Sequence, residues 1–580
     1  MIVRSNFDAG TLEIMWSRLT SIADEAATTL VRTSFSTVVR ESKDLSCALF
    51  DTAGCSLSQA AMSMPAFTGT MPLTMRHFLR RYPADQWRPG DVLITNDPWL
   101  GSGHLPDISM ALPIFRGSTL MGFTFLVAHA PDIGGKTLSA TCREMFEEGL
   151  RIPIVHLHKA GEPCQQVIEF ICSNVRVPDE VLGDLHAMIA AGEVAQRRLL
   201  EFMAEFKLND LTSLAREIQL RAERAMREQI RALPDGTYHH TLTTDGMDEE
   251  LTIALTMRIA GDRLDLDYTG TSAQQPSGIN VPLCYTHSFT VYAVKTVLTP
   301  SVPNNEGTFK PITVTAPEGC ILNPRFPAAT GARSTTGHFV VPAVYGAMAQ
   351  LAPERVLAEC GAPRPIVVLR GSRDDGRPFT QTVFCMGSMG ARPTQDGISC
   401  IAFPTNCWVT PVEILESSTT AIRVGCKELI PESGGAGRFR GGYGQRYEIE
   451  SVSDEPLTIS VRADRTKNPA IGLSGGLAGA CTRIRLNGQD INSKGITIAK
   501  KGDLLRVDTP GSGGHGDPLD RDSEKVYTEF KYGLISEAGA RSLYGVVIDA
   551  ADDNVNVAAT LLLRAEMRKS RTNKVSSQIA

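Results

Sequence analysis

The chain has 580 residues, which at roughly 150 per domain is room for about four domain-sized units, and its cores need no disulfide or metal staples. Its 58 Lys and Arg stand against 64 Asp and Glu, a formal charge of −6, with 42% hydrophobic and 21% charged residues. That balance excludes a basic field for nucleic acid or an anionic membrane, and no stretch reaches the ~18 uninterrupted apolar residues of a membrane span. Plentiful glycine (51) and proline (33) favour a loop-rich protein with β structure.

The beginning of the chain lacks the apolar core and cleavage site of a signal peptide. Thirteen cysteines, an odd number with no CxxC pair, are expected to be reduced and buried. Both readings point to a cytoplasmic protein.

In chain order, Leu12, Met15, Leu19, Ile22, Ala26 and Leu30 recur at helical spacing behind Asp8, a natural N-cap. SCALFD from Ser46 is extended, and Val92–Thr95 reads as a buried strand. ISMALPIF and LMGFTFLVA read as two strands joined by a turn at RGST. Residues 178–233 carry the longest helical signal, broken near Asn209-Asp210 and ended by PDGTY. Segments 284–299 and 338–360 predict further helices, and helical pieces follow residue 521. The expected fold class is therefore α+β and multidomain. Residues 1–233 form a mixed region with long helices, 234–518 a β-rich region with Gly/Pro loops, and 519–580 a helical segment with a frayed tail.

Only eleven histidines occur, so their neighbours matter. His104 lies in GSGHLPD and His129 in AHAPDIGG, at the outer ends of the two predicted strands. A hairpin centred on Ser118 sets Asp107 opposite His129, with Cβ atoms ~4.5–5.5 Å apart. Two imidazoles and a carboxylate suit zinc, manganese or iron(II) with positions left open. A one-residue slip turns these side chains apart, and ordinary loop-end histidines bonding to backbone are the plain alternative. Asp97 and Asp132, in the same loops, are candidates to orient the imidazoles or accept a proton.

Four glycine-rich or P-loop-like stretches fail as phosphate or nucleophile sites. Residues 130–137 put Ala130 where a P-loop has glycine, and GSGGHG at Gly511–Gly516 lacks a following helix. We read GSGGHG as a flexible connector and Gly434–Gly444 as a tight structural loop. GLSGG at Gly472–Gly476 lacks the strand-to-helix turn of a nucleophile elbow. Arg333 and Asn280 are polar loop residues able to bind substrate.

Together the blocks RESKDLSCALFD, NDPWLGSGHLPDIS, AHAPDIGG, FEEGLRIP, GDLHAMIAAG, SGGAGRFRGGYG and GSGGHGDPLDRD resemble the hydantoinase B/oxoprolinase family over roughly residues 7–550. The resemblance implies a metal-bearing subunit whose ligands match Glu41, His104, Asp107 and His129. It also implies an A-type partner that binds ATP and magnesium, in an (αβ)2 hetero-oligomer, and opening of a hydantoin, lactam or 5-oxoproline. Related subunits belong to ATP-dependent ketone carboxylases. A scaffold subunit with a structural metal is a third reading. Departures are Ala130, where relatives often have a second histidine, and Ser417–Gly425, which lacks their usual Tyr-Pro element.

Overall fold

The computed structural model describes residues 7–136, 138–549 and 553–579, side chains beyond Arg571 excepted. Helix α1 (Ala9–Thr33) starts where Asp8 accepts the Thr11 N–H at 3.0 Å and buries the predicted apolar face. A short α2 (Thr37–Arg40) leads into β1 (Leu45–Phe50) and β2 (Ser56–Gln59), then α3 (Phe67–Arg81) and β3 (Val92–Thr95). β4 (Asp107–Arg116) and β5 (Thr119–His129) are the expected hairpin, followed by β6 (Val155–Lys159) and β7 (Glu162–Pro163). These strands make one antiparallel sheet in the order β2-β1-β5-β4-β3-β6-β7.

The period-2 alternation of a strand sorts this sheet's side chains into two cores. On β5, Leu126 and Ala128 face the core under α1 and α5 (Pro178–Glu205), the helix after α4 (Gln165–Asn174). Phe123, Phe125 and Val127 face the opposite core, which also takes in Met226 and Ile230 of α6 (Thr212–Arg231). That second core is shared with β8 (Gly236–Thr244), β9 (Leu251–Ala260), β10 (Arg263–Asp267) and α7 (Leu283–Leu298). The short α8 (Glu306–Phe309), β11 (Ile312–Thr315), short α9 (Ser334–Gly337) and α10 (Val340–Met348) complete it.

The hairpin register carries the site. At the tip Arg116 pairs with Thr119, and the register then shifts between Ile114 and Phe115, leaving Met121 as an extra residue on β5. This bulge brings Asp107 opposite His129 at the open end. The helix expected over 338–360 is shorter. It ends at Met348, and Pro353, which has no N–H to give an α-helix, opens a single 3₁₀ turn.

In the second half, β12 (Ile366–Ser372), β13 (Pro378–Phe384), β16 (Leu457–Arg462) and β19 (Ile496–Ala499) form one sheet. β14 (Ile422–Leu429), β15 (Gln445–Ser451), β17 (Arg483–Leu486), β18 (Gln489–Asp490) and β20 (Leu504–Asp508) form another, and the two share a core around Val367, Ile449 and Val507. Helices at Ser523–Lys531, Glu537–Tyr544 and Val557–Ile579 close the chain. The last runs through most of the expected frayed tail, and Ala580 lies outside the described residues.

GSGGHG is not a flexible connector. Gly511–Gly514 are buried, interlocked with the loops at 434–444 and 470–479. Gly435 N–H donates to Ser512 O, Leu477 N–H to Ala436 O, and Gly514 N–H to Leu477 O. A Cβ on Gly511 would lie 1.7 Å from Ser433 O, and one on Gly441 2.0 Å from Ser512 O. Glycine lets the backbones touch and satisfy one another. The amides an anion would need are consumed in this stack.

A histidine–carboxylate centre in an arginine-lined cavity

Alternation and register place three acidic or imidazole side chains in a row. Asp107 and His129 lie on the β4 and β5 face that carries Ala111 and Phe125, towards α7. On the other side of β5, Leu45 pairs with Ala128, so Asp44 continues the ladder beside His129, whose N–H donates to Asp44 O at 3.0 Å. β1 presents Ala48 and Phe50 to the same core, and Asp44 has their parity. His104 reaches the row from the loop before β4. Gly103, at φ +90°, leaves room there for the Arg333 side chain, which a Cβ would approach to 2.8 Å.

One nitrogen of each histidine and one oxygen of Asp107 lie within 4.8 Å of one another, all three residues buried. The nearest partner of His104 Nδ1 is the Gly331 carbonyl at 3.3 Å, so Nδ1 carries the proton and Nε2 a lone pair. That lone pair faces Asp107 Oδ1 at 3.0 Å. Neither His104 Nε2 nor His129 Nδ1 has a hydrogen-bond partner among the described residues. Burial and Arg333 pull His104 down to about 4. Burial, which outweighs the pull of Asp107, takes His129 down to about 3. Burial alone would raise Asp107, but His104 and Arg333 outweigh it and hold the carboxyl at about 2. Two neutral imidazoles and one ionised carboxylate with converging lone pairs are the donor set of a zinc or manganese ligand sphere, and these residues fit such an ion.

The surrounding cavity, about 40 Å³, is otherwise cationic, with Arg333, Arg364 and Arg462 in its wall. Arg333 donates to Asp107 Oδ2 at 2.6 Å and to Ser102 O at 2.7 Å, with its guanidinium 4.2 Å from the Tyr285 ring centroid. Arg462 donates to Gly331 O at 3.1 Å, and burial together with Arg333 takes it down to about 9. Asp44 lines the same cavity, its carboxyl pushed up to about 7 by burial and by Asp107.

The turn at 330–333 is the hub of this arrangement. Glu148 Oε1 accepts the Thr330 and Gly331 N–H groups at 2.7 and 2.6 Å. Gly331 O then orients His104, and Arg333 orients Asp107. Burial pushes Glu148 up to about 8 against those two amides. Asn280 braces the same loop, donating to Ala329 O at 2.9 Å, and does not line the cavity.

Three sequence candidates stand elsewhere. Glu41 is the C-cap of α2, accepts Arg40 Nε at 2.8 Å and is absent from the cavity wall, where Asp44 sits instead. Asp132 is fully buried against Arg176, accepting its N–H and Nη1 at 2.6 and 2.7 Å. Asp97 caps its own turn at Trp99 N–H and accepts Arg151 Nε at 2.7 Å. Both are loop-building carboxylates, neutralised by arginine and outside the cavity wall. Asp44, Glu148, Arg364 and Arg462 were not singled out, because each joins the site through contacts distant in sequence.

A family model described as Hydantoinase B/oxoprolinase matches residues 8–518. The chain belongs to that family. It is 30% identical over 576 residues to the B-type subunit of a putative D-/L-hydantoinase from Pseudomonas sp. (strain NS671), covering 94% of this chain and 96% of that one. The beta chain of caprolactamase from Pseudomonas jessenii is 29% identical over 582 residues, covering 96% and 99%. The crystal structure of the ATP-dependent caprolactamase from that organism superposes with a TM-score of 0.88 at 28% identity, over 97% of this chain and all of that one. Nucleotide-free acetone carboxylase shares the fold, with a TM-score of 0.86 at 21% identity over 98% and 84%.

Proposed function

We propose that this chain is the metal-bearing subunit of a cytoplasmic ATP-dependent amidohydrolase that opens a cyclic amide after a partner subunit has activated it by phosphorylation. The observation that carries the reading is the buried His104–Asp107–His129 set, with His104 Nε2 and His129 Nδ1 unpartnered among the described residues, inside a wall of three arginines. In this reading Asp44, which lines the same cavity while Glu41 does not, stands beside the ligand set, and a cation held by Asp107 relieves the repulsion between the two carboxylates. Zinc or manganese suits the donors best, and iron(II) is compatible.

A divalent ion there would supply Lewis-acid polarisation of a carbonyl and a nucleophilic water at neutral pH. Amide resonance makes a cyclic amide a poor electrophile, hence the need for ATP. Arg333, Arg364 and Arg462 bind the anionic, activated oxygen, and the apolar frame around them strengthens that attraction. No ATP site is assigned to this chain, because the glycine-rich amides are spent on backbone. ATP and magnesium therefore belong to an A-type partner, in an (αβ)2 assembly like those the family resemblance implies. All thirteen cysteines are free, which suits a reducing compartment.

The test is to co-express the chain with its A-type partner and assay lactams, hydantoins and 5-oxoproline for ATP-dependent opening, with elemental analysis of the complex. One divalent ion per chain and turnover abolished by Asp107→Asn are expected. Full activity of that variant, or of the partner alone, overturns the proposal. Bicarbonate-dependent formation of a C–C bond would move the chain to the ketone carboxylases.

A further inference from the structure

Helix α7 stands across the histidine–carboxylate cavity from β4 and β5, and Tyr285, in its first turn, is part of the cavity wall. Its ring is held on three sides. The Arg333 guanidinium lies 4.2 Å from its centroid, the Phe289 ring 4.7 Å, and a Cβ on Gly337 would come within 2.4 Å of its Cε1.

A buried tyrosine normally spends its hydroxyl on a partner. Tyr268 and Tyr345, buried in the same core, do so: their hydroxyls share hydrogen bonds with Thr290 and Thr296, each at 2.7 Å. The Tyr285 hydroxyl bonds to nothing among the described residues, yet its neighbours do not seal it as they seal Arg364 Nε and Arg462 Nε in the same wall. On a residue only 2% exposed, that opening gives onto the cavity. Burial outweighs Arg333 and pushes the phenol above its ordinary range, so it holds its proton at neutral pH.

We propose that Tyr285 is a proton relay that decides which bond of the activated amide breaks. This rests on the amidohydrolase reading and adds to it the group that ties ATP use to ring opening. Phosphorylation of the amide oxygen leaves a carbon–nitrogen double bond. Water adding across it puts a hydroxyl, a phosphate ester and the ring nitrogen on one carbon. If the carbon–oxygen bond to phosphate breaks, phosphate leaves, the amide is restored and ATP is wasted. If the carbon–nitrogen bond breaks, the ring opens to an acyl phosphate, which a second water hydrolyses to carboxylate and phosphate. The nitrogen leaves only after taking a proton. Tyr285 gives it the hydroxyl proton, and the bonding pair departs with the nitrogen. The phenolate oxygen then takes back the proton that the adduct's hydroxyl sheds in becoming the carbonyl. Arg333, stacked on the ring, steadies the passing negative charge.

The test uses the complex of the full-length chain with its A-type partner, given ε-caprolactam, hydantoin or 5-oxoproline in water labelled with heavy oxygen. The native complex should release a phosphate for each ring opened and leave unopened rings unlabelled. Tyr285→Phe keeps the ring and its stacking. It should raise the ring-dependent phosphate released per ring opened at least about tenfold and load heavy oxygen into the unopened amide, with metal content unchanged. Tyr268→Phe, which removes a hydroxyl from the same core outside the cavity, should do neither. An unopened amide that stays unlabelled in Tyr285→Phe, whatever the rate, overturns the assignment, as does equal labelling in Tyr268→Phe. Labelling in Asp44→Asn but not in Tyr285→Phe also overturns it, handing the relay to Asp44. A native complex that opens none of the three rings overturns the amidohydrolase reading and this assignment with it.

Discussion

At the open end of β4 and β5, polar side chains converge inside an apolar frame. In the glycine stack around Gly511 side chains are removed so that backbones meet. The first region is built mainly by register, since the directions of Asp107, His129 and Asp44 follow from which residue faces which across a strand pair. The second is built by contact distance, and its hydrogen bonds join segments far apart in sequence. Substitution should therefore injure the two in unlike ways. The stack should tolerate no added atom, and the histidine–carboxylate cluster should tolerate changes of shape but not of donor.

The largest effect is expected from Gly511→Ala. Its Cβ would stand 1.7 Å from the Ser433 carbonyl, a backbone atom that cannot swing aside. A loss above ~4 kcal/mol should show as failure to accumulate soluble protein. Gly425→Ala, whose Cβ meets nothing within 4 Å, should stay within ~0.5 kcal/mol by thermal melting. Equal behaviour of the two would erase the contrast between packed and open glycines.

Next comes Asp107. Asp107→Ala removes a donor and strands the buried Arg333, a cost of ~3–5 kcal/mol, whereas Asp107→Asn keeps the shape. Elemental analysis should find metal lost from both, and thermal melting should find the fold weakened mainly in the alanine variant. Full metal occupancy in Asp107→Asn would remove Asp107 from the ligand set.

Two opposed pairs of groups set the pH dependence of the metal-free chain. His104 and His129 are held at about 4 and about 3 in the fold, and Asp44 and Glu148 are raised to about 7 and about 8. Below ~6.5 the unfolded chain's histidines take up protons that the folded chain's refuse, which costs stability as pH falls. The two raised carboxyls are protonated first in the fold and restore stability over the same fall. The histidine share, ~2 kcal/mol each between pH 7 and pH 5, is the difference in urea denaturation between the native chain and a His104→Asn, His129→Asn double variant. The variant should gain on the native chain as pH falls, and parallel profiles would refute the assignment.

The smallest effect concerns the 330–333 turn. Glu148→Ala should weaken metal affinity ~10–100-fold without touching a ligand. Glu148→Gln, whose amide oxygen still accepts the Thr330 and Gly331 N–H groups, should recover most of it. A competitive chelator titration reads both.

The hairpin was legible because its strands are long, alternate cleanly and join through a tight turn, and α1 and α5 because their apolar periodicity is sustained. The second carboxylate of the cavity, Asp44, was not. Glu41 and Asp44 share one charged run, and only the β1–β5 pairing puts Asp44 beside His129. Glu148 and Arg462 reach the site through the Gly331 peptide, a contact with no local signal. Glycine-rich composition reads as flexibility when seen one segment at a time. Three such segments interlocked form a rigid core, and composition does not reveal the partner loops.

Met121 is far from the His104–Asp107–His129 cluster, yet the direction of His129 depends on it. It is the extra residue that shifts the β4–β5 register between the tip and the open end. Pair it into the ladder and the tip register would run on unbroken: Asp107 would meet Ala128, and every side chain of β5 beyond that point would exchange faces. His129 would then project into the packing under α1 and α5, like a frameshift written in space. The cluster's geometry thus hangs on one residue left out of a ladder, at the opposite end of the hairpin.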